Sequence, residues 1–241
     1  NRTSNFNTRQ NGYDISADVL GYPESYYTPP SEGIDKIQII RGASSLQYGT
    51  QFGGLINFIM KKNNNEKKLN IVSRNTLGSN NLFSNFTSFG GDISDFSYYS
   101  FINLKKGSGF RPNSNFESNN IYANFIYDNN ILSVSSDITY LSYLSQQAGG
   151  LTDEMFYQDP FQSNRCRNWF SVNWLLYNVN ILYNISERNN INISLFGLDA
   201  DRNALGFRSN RVYQIDPFDE RDLIKGEFNN FGLESRFLHK D

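Results

Sequence analysis

The sequence predicts a mostly β protein: a short glycine-punctuated module, then about eight antiparallel strands suited to the wall of a transmembrane barrel. Three observations predict it. Apolar and polar residues alternate with period two through most of the chain beyond Lys68. The links between the alternating segments are short and long by turns. Aromatic residues make up 15% of the chain although its mean hydropathy is −0.55, which suits strands with one apolar and one polar face. A secreted, aromatic-rich sandwich has similar totals, so composition alone leaves both architectures open.

Composition also excludes several classes of function. Basic and acidic residues number 22 and 24, so the chain carries no cationic footprint for nucleic acid. It has no long apolar run, so no transmembrane helix is expected. It opens at Asn1 with neither an initiating Met nor a signal peptide, and is expected to begin inside a longer protein. The lone cysteine, Cys166, excludes an intramolecular disulfide framework. The lone histidine, His239, excludes a His-rich metal site and weakens a case for haem capture. No Ser-His-Asp or Cys-His arrangement, H-E-x-x-H, Walker loop or spaced carboxylate pair occurs. Neither an enzymatic activity nor a resident cofactor is expected.

In chain order, residues 1–32 read as irregular, with turn signals at Asn11-Gly12, Gly21-Tyr22-Pro23 and Pro29-Pro30. From Gly33 to Lys62, two β-rich runs (Ile34, Ile37, Ile39, Ile40; Leu55, Ile56, Phe58, Ile59) bracket a middle holding Gly42, Gly49, Gly53 and Gly54. Asn63 to Lys68 is a polar, charged linker. Strands are then expected near 69–77, 83–93, 96–106, 118–128, 131–144, 167–186, 190–202 and 228–238. Ile121, Ala123, Phe125 and Tyr127 alternate with Tyr122, Asn124 and Asp128, and Ile191, Ile193 and Leu195 with Asn190, Asn192 and Ser194.

Links at 94–95, 129–130 and 187–189 are tight, whereas 107–117, 145–166 and 203–227 are long. Bacterial barrels divide their periplasmic and extracellular faces in this way. The link 78–82 falls on the long side by parity yet is short. In 167–186 the apolar phase slips at Leu175-Leu176, which predicts a β-bulge there, with two separate strands as the alternative; the bulge is preferred because no turn residue stands at the slip.

The stretch IDKIQIIRGASSLQYGTQFGGLINFIMKK resembles the C-terminal plug motif of TonB-dependent outer-membrane receptors. Ile34, Asp35, Ile37, Arg41, Gly42, Ser45, Tyr48 and Gly49 fall in register, as do Gly53, Gly54, Ile56, Asn57 and Lys61 after one dropped residue. The resemblance implies a plug-domain part at 1–62, a linker at 63–68 and a barrel part at 69–241. The fold implied is the C-terminal part of an α/β plug followed by the first ~8 strands of a barrel of about 22. It further implies a place in the outer membrane of a Gram-negative bacterium, lipid around the wall, and the TonB energy-coupling complex as partner through a segment that would precede this chain.

Tyr48-Gly49-Thr50-Gln51 before Gly53-Gly54 is similar to the ferric-dicitrate branch, with Thr50 in place of Pro and a spacing one residue shorter. That branch implies Gln51, with neighbouring Gln47 and the loop tyrosines Tyr26 and Tyr27, on the ligand side. Planar guanidinium groups suit carboxylates, so Arg165, Arg167, Arg202, Arg208 and Arg211 are candidate ligand contacts; nearby Asp216, Asp219, Glu220 and Asp222 are their competing partners. Iron would travel as a chelate, with ferric citrate first and another siderophore, haem or a glycan as alternatives. A secreted β-rich adhesin is the reading from a different class.

Overall fold

The computed structural model describes residues 6–17, 25–42, 53–63, 67–209 and 211–240. A four-stranded sheet comes first. It is built from β1 (Phe6–Gln10), β2 (Tyr13–Asp14), β3 (Ile34–Ile40) and β4 (Gly54–Met60), in the order β2-β1-β4-β3. The two runs read from the sequence are β3 and β4, paired antiparallel. β1 lies parallel to β4, in a region the sequence reads as irregular. That strand has no apolar alternation because its buried side chains are polar and held by hydrogen bonds. Asn7 bonds Asp14, and Arg9 donates to Asn7 Oδ1 at 2.8 Å and to the Gly12 carbonyl at 2.6 Å.

The second sheet is a single run of eight antiparallel strands, each beside its sequence neighbour. They are β5 (Asn70–Gly78), β6 (Leu82–Ile93), β7 (Phe96–Gly107), β8 (Phe116–Asp128), β9 (Leu132–Gln146), β10 (Trp169–Ser186), β11 (Asn189–Leu205) and β12 (Ile224–His239). All eight expected strands are present within a few residues of their expected bounds. Three connections stay tight, and the outward link at 79–81 is short because Asn80 and Asn81 both adopt φ of 57°. Two consecutive left-handed residues make the turn whose twist matches a hairpin. The long link after β9 holds a one-turn helix, α1 (Asp153–Gln158), missed in the sequence because six residues cannot display a helical period. Thr152 caps it, accepting from the Met155 N–H at 3.2 Å, with Asp153 and Glu154 in the first turn.

The outward face of this wall is an apolar band. Near the tight turns Ile93, Phe96, Tyr127, Val134, Ile181 and Ile193 lie side by side across six strands. Towards the loops the matching row is Ile102, Ile121, Tyr140 and Leu175. Along β8 these rows are about 20 Å apart, close to the height of a lipid-facing girdle. The next row, Leu104 apart, is polar: Asn85, Asn119, Ser142, Asn173, Asp201 and Glu227.

The expected bulge at Leu175-Leu176 is absent. β10 keeps one register against β9 and β11 through both residues, and its pairing with β11 shifts only between Asn184 and Ser186. The slip has another cause: the inward face changes chemistry along the strand. Val172, Trp174 and Leu176 point inward and are fully buried, whereas Asn178 and Asn180 continue the same face as polar residues. The outward face does the reverse, from Ser171 and Asn173 to Leu175, Tyr177 and Val179.

The small sheet and its flanking segment pack against the apolar half of that inner face. Tyr13, Ile15, Ala17 and Tyr27 are buried with Leu141, Val172, Trp174, Leu176, Phe196, Leu198 and Ala200. A second cluster joins Met60 to Phe86, Tyr99, Phe101 and Tyr122. A polar seam runs beside them: Arg9 to Glu234 at 2.8 Å, Gln10 to Thr139 at 2.9 Å, and Asn11 to Asp137 at 2.7 Å.

Gly232 on β12 lies beneath the Phe196 ring, where an added Cβ would sit 2.4 Å from Cζ. Phe196 is itself wedged against Tyr13, with ring centroids 5.9 Å apart, and cannot swing clear. Gly232→Ala is therefore expected to destabilise the wall by roughly 1–3 kcal/mol. A lower temperature of loss of the folded, heat-modifiable band on gels measures it; an unchanged temperature contradicts this packing.

Candidate functional site

The loop end of the inner face gathers most of the described candidates. Tyr26, half-buried, lies between the rings of Phe170 and Trp174, with centroids 5.7 and 5.8 Å away. Its hydroxyl accepts from Arg202 Nη1 at 2.9 Å. Arg202 comes from the inward face of β11, and its guanidinium also lies 5.6 Å from the Tyr26 ring centroid. Tyr27 points the other way, into the core, at 1% exposure. Burial pushes its phenol well above the usual tyrosine range.

The loop arginines divide into two kinds. Arg167 grips Asp216 with two parallel hydrogen bonds, from Nε and Nη2, each 2.7 Å, and Nη2 also reaches the Asp219 carbonyl at 2.8 Å. Arg165, 6% exposed, donates to the Gln214 carbonyl at 3.1 Å and to Ser209, and lies 5.0 Å from the Phe207 ring centroid. Arg221 lies at the same distance from that ring and 3.6 Å from Asp216. Arg165 and Arg167 thus tie loop 206–223 to loop 147–168, whereas Arg221 braces loop 206–223 internally. Arg111, which the sequence did not single out, ties 108–115 to loop 147–168 through the carbonyls of Gln162 and Ala148, at 2.7 and 3.3 Å.

Arg208 and Arg211 are exposed on loop 206–223. Arg208 reaches the Ala204 carbonyl at 3.4 Å and Arg211 donates to the Tyr213 hydroxyl at 2.9 Å. Each retains outward-facing donors, because a guanidinium carries five N–H groups.

Among the motif residues, Arg41 is exposed just past β3, and Gly42 follows with φ of 76°, a conformation that favours glycine. Gly53 precedes β4, and Gly54 opens it at φ of 124°. Asn57 of β4 accepts from the Gly12 N–H at 3.0 Å and donates to Gln38 at 2.9 Å, fixing the β1–β2 turn on its neighbour strand. Gln47, Tyr48, Gly49 and Gln51 lie outside the described residues, as do the expected turn at Gly21–Pro23 and linker residues 64–66. Among the described residues no group of His, Cys, Asp and Glu side chains is placed to hold a metal ion.

No profile of a known protein family matches the chain, and no curated protein matches it by sequence. Solved structures do match. The ferric citrate transporter FecA, unliganded, superposes with a TM-score of 0.79 at 19% identity over 97% of this chain and 35% of its own. The chain has the fold of a TonB-dependent receptor. The ferric-catecholate import receptor Fiu from E. coli K12 gives 0.70 at 13% identity, over 98% of this chain and 39% of that one. The copper transporter OprC gives 0.69 at 14%, over 97% and 35%. The chain thus spans little more than a third of these receptors' length. All three are transporters or receptors rather than enzymes, and their different cargoes show that this receptor fold does not dictate a ligand.

Hydrogen bonds from Arg167 hold the Asp216 carboxyl well below the usual carboxylate range, although burial opposes them. A carboxylate depressed on folding contributes stability that is complete above its unfolded pKa and lost only as pH falls through the depressed value. A spin label at Ile215 should therefore report the same loop mobility from pH 7 to pH 4. Asp216→Asn should mobilise that label throughout this range. A wild-type transition near pH 4, or an immobile label in Asp216→Asn, contradicts the lock.

Proposed function

We propose that this chain forms part of a TonB-dependent outer-membrane receptor that imports a ferric chelate, with ferric citrate as the first cargo to test. One observation carries the reading. An antiparallel wall with an apolar outer band holds a small four-stranded sheet against its inner face, an arrangement shared with FecA at a TM-score of 0.79. In this reading the small sheet belongs to the plug, residues 1–62, and the wall from residue 69 onward belongs to a barrel of about 22 strands. The free edges of β5 and β12 support a larger barrel, because hydrocarbon does not tolerate an unpaired sheet edge.

Capture would take place at the loop end. Arg208 and Arg211 would present guanidinium donors and Arg202 and Tyr26 the floor, with Gln47 and Gln51 as the further donors that the plug resemblance implies. Arg165 and Arg167 serve there by holding the loops in shape. Two parallel hydrogen bonds per guanidinium suit a citrate carboxylate. Cargo binding would then shift the plug, and the TonB complex would draw on it from the periplasmic side.

The test uses outer membranes containing the complete receptor. Binding of radiolabelled ferric citrate is expected to weaken by at least about tenfold in Arg208→Ala/Arg211→Ala, from the loss of charge-assisted hydrogen bonds. Unchanged affinity would remove both arginines from the site. A receptor that binds ferric catecholate or haem but not ferric citrate would overturn the cargo.

A further inference from the structure

On the loop side of the apolar band, the outward face of β9 to β12 holds a hollow of about 850 Å³. Asp199, Asp201 and Glu227 line it together with Asn173, Asn203 and Asn229. Leu223 borders it, where loop 206–223 comes down to β12. We propose that this hollow seats the saccharide head of an outer-leaflet glycolipid, whose acyl chains lie along the apolar rows beneath. The inference rests on the membrane reading above and is independent of the cargo.

The lining is unlike the rest of its row. On β5 to β9 the row next to the apolar band is neutral: Asn75, Asn85, Asn119 and Ser142, with Leu104 among them. On β11 and β12 it becomes Asp201 beside Glu227. Asp199 stands one row lower, level with Tyr140 and Leu175 of the apolar band. A carboxylate at that height borders hydrocarbon, where a charge without a partner is costly.

Asp201 is held by its neighbours: its two oxygens accept from Asn173 Nδ2 at 2.9 Å and Asn203 Nδ2 at 2.7 Å. The Tyr140 hydroxyl in turn donates to Asn173 Oδ1 at 3.4 Å. Asp199 and Glu227 are exposed, and among the described residues neither has a hydrogen-bond or ion-pair partner. Their donors therefore come from outside the wall.

A saccharide supplies donors of the right kind. Carboxylates accept from neighbouring sugar hydroxyls, and carboxamides both donate and accept, so adjacent hydroxyls of one ring are satisfied together. A bare phosphate fits poorly, since it would face three carboxylates with Lys225 as the one cation in the lining. Nor are these carboxylates placed to hold a metal ion that could bridge them to a phosphate. The volume lies within the range of small-molecule sites, about 300–1,000 Å³.

Beneath the hollow the same strands turn apolar. Ile138, Tyr177 and Phe231 form one row, and Val179, Leu195 and Leu233 the next. Gly197 lies between Tyr177 and Phe231, and the Tyr177 ring covers it so closely that an added Cβ would sit 2.4 Å from Cζ. A polar hollow continuous with a lipid-facing column matches an amphiphile with a hydroxyl-rich head and acyl chains.

The test places the complete receptor in phosphatidylethanolamine nanodiscs with equal traces of diglucosyl diacylglycerol and phosphatidylglycerol, matched in their chains. Native mass spectrometry then counts the lipids that each receptor retains. Asp199→Ala/Glu227→Ala removes two outward side chains that have no partner in the fold. It should cut glycolipid retention at least about fivefold, from the loss of charge-assisted hydrogen bonds, with the folded, heat-modifiable band unchanged. Asn85→Ala/Asn119→Ala, in the same row across the wall, should retain the glycolipid as the parent does. Equal retention of the two traces by the parent, or parental retention by Asp199→Ala/Glu227→Ala, overturns the seat. Retention that a chelator abolishes overturns direct bonding to hydroxyls, because a cation then carries it. A receptor that binds no ferric citrate yet passes this test loses only the cargo reading. One recovered outside the outer-membrane fraction loses the membrane reading and this inference together.

Discussion

The carboxamide of Asn11 joins three elements at one point: the Met60 N–H of β4, the Tyr122 hydroxyl of β8 and the Asp137 carboxylate of β9. Around it Arg9 reaches Glu234 and Gln10 reaches Thr139, so the small sheet is located on the wall largely by polar contacts. Such contacts contribute modest net free energy but fix geometry, since a displaced partner leaves a buried polar group unpaired. The Arg9 side chain is 4% exposed, and loss of Glu234 would strand its charge in the interior. The inner sheet is thereby held in one position without the tight, wholly apolar seal that would resist every displacement.

The rest of the inner surface follows from that division. Where the segment after β2 presses on the wall, the facing residues are Trp174, Leu176, Phe196 and Leu198. Under Met60 they are Phe86, Tyr99, Phe101 and Tyr122, and towards the tight turns of β10 and β11 they become Asn178, Asn180, Asn192 and Ser194. β10 records the boundary within one strand, between Leu176 and Asn178. The alternation of apolar and polar residues made the eight strands legible in the sequence. The same signal misled at Leu175-Leu176, because period two reports which face is apolar and not which face is inside. A strand that is apolar inward at one end and outward at the other shows a phase slip with no extra residue.

Legibility of the site was poorer for a similar reason. The sequence indicated which loops are rich in arginine, but not which guanidinium groups find acceptors within the fold. Arg167 and Asp216 stand far apart in the chain, and only the meeting of two loops makes them a pair. β1 was hidden because a strand of Phe-Asn-Thr-Arg-Gln carries no apolar rhythm; its polar residues are buried by tertiary bonds that no local pattern announces. Asn11-Gly12, by contrast, was visible as a turn, although the three bonds made by its carboxamide were not.

The three-residue hairpin at 79–81 has a consequence for the shape of the mouth. From β5 towards β12 the connections lengthen from this clipped turn, through 108–115, to the interlocked spans 147–168 and 206–223. The parapet is therefore stepped: low beside β5 and β6, high and braced beside β10 and β11.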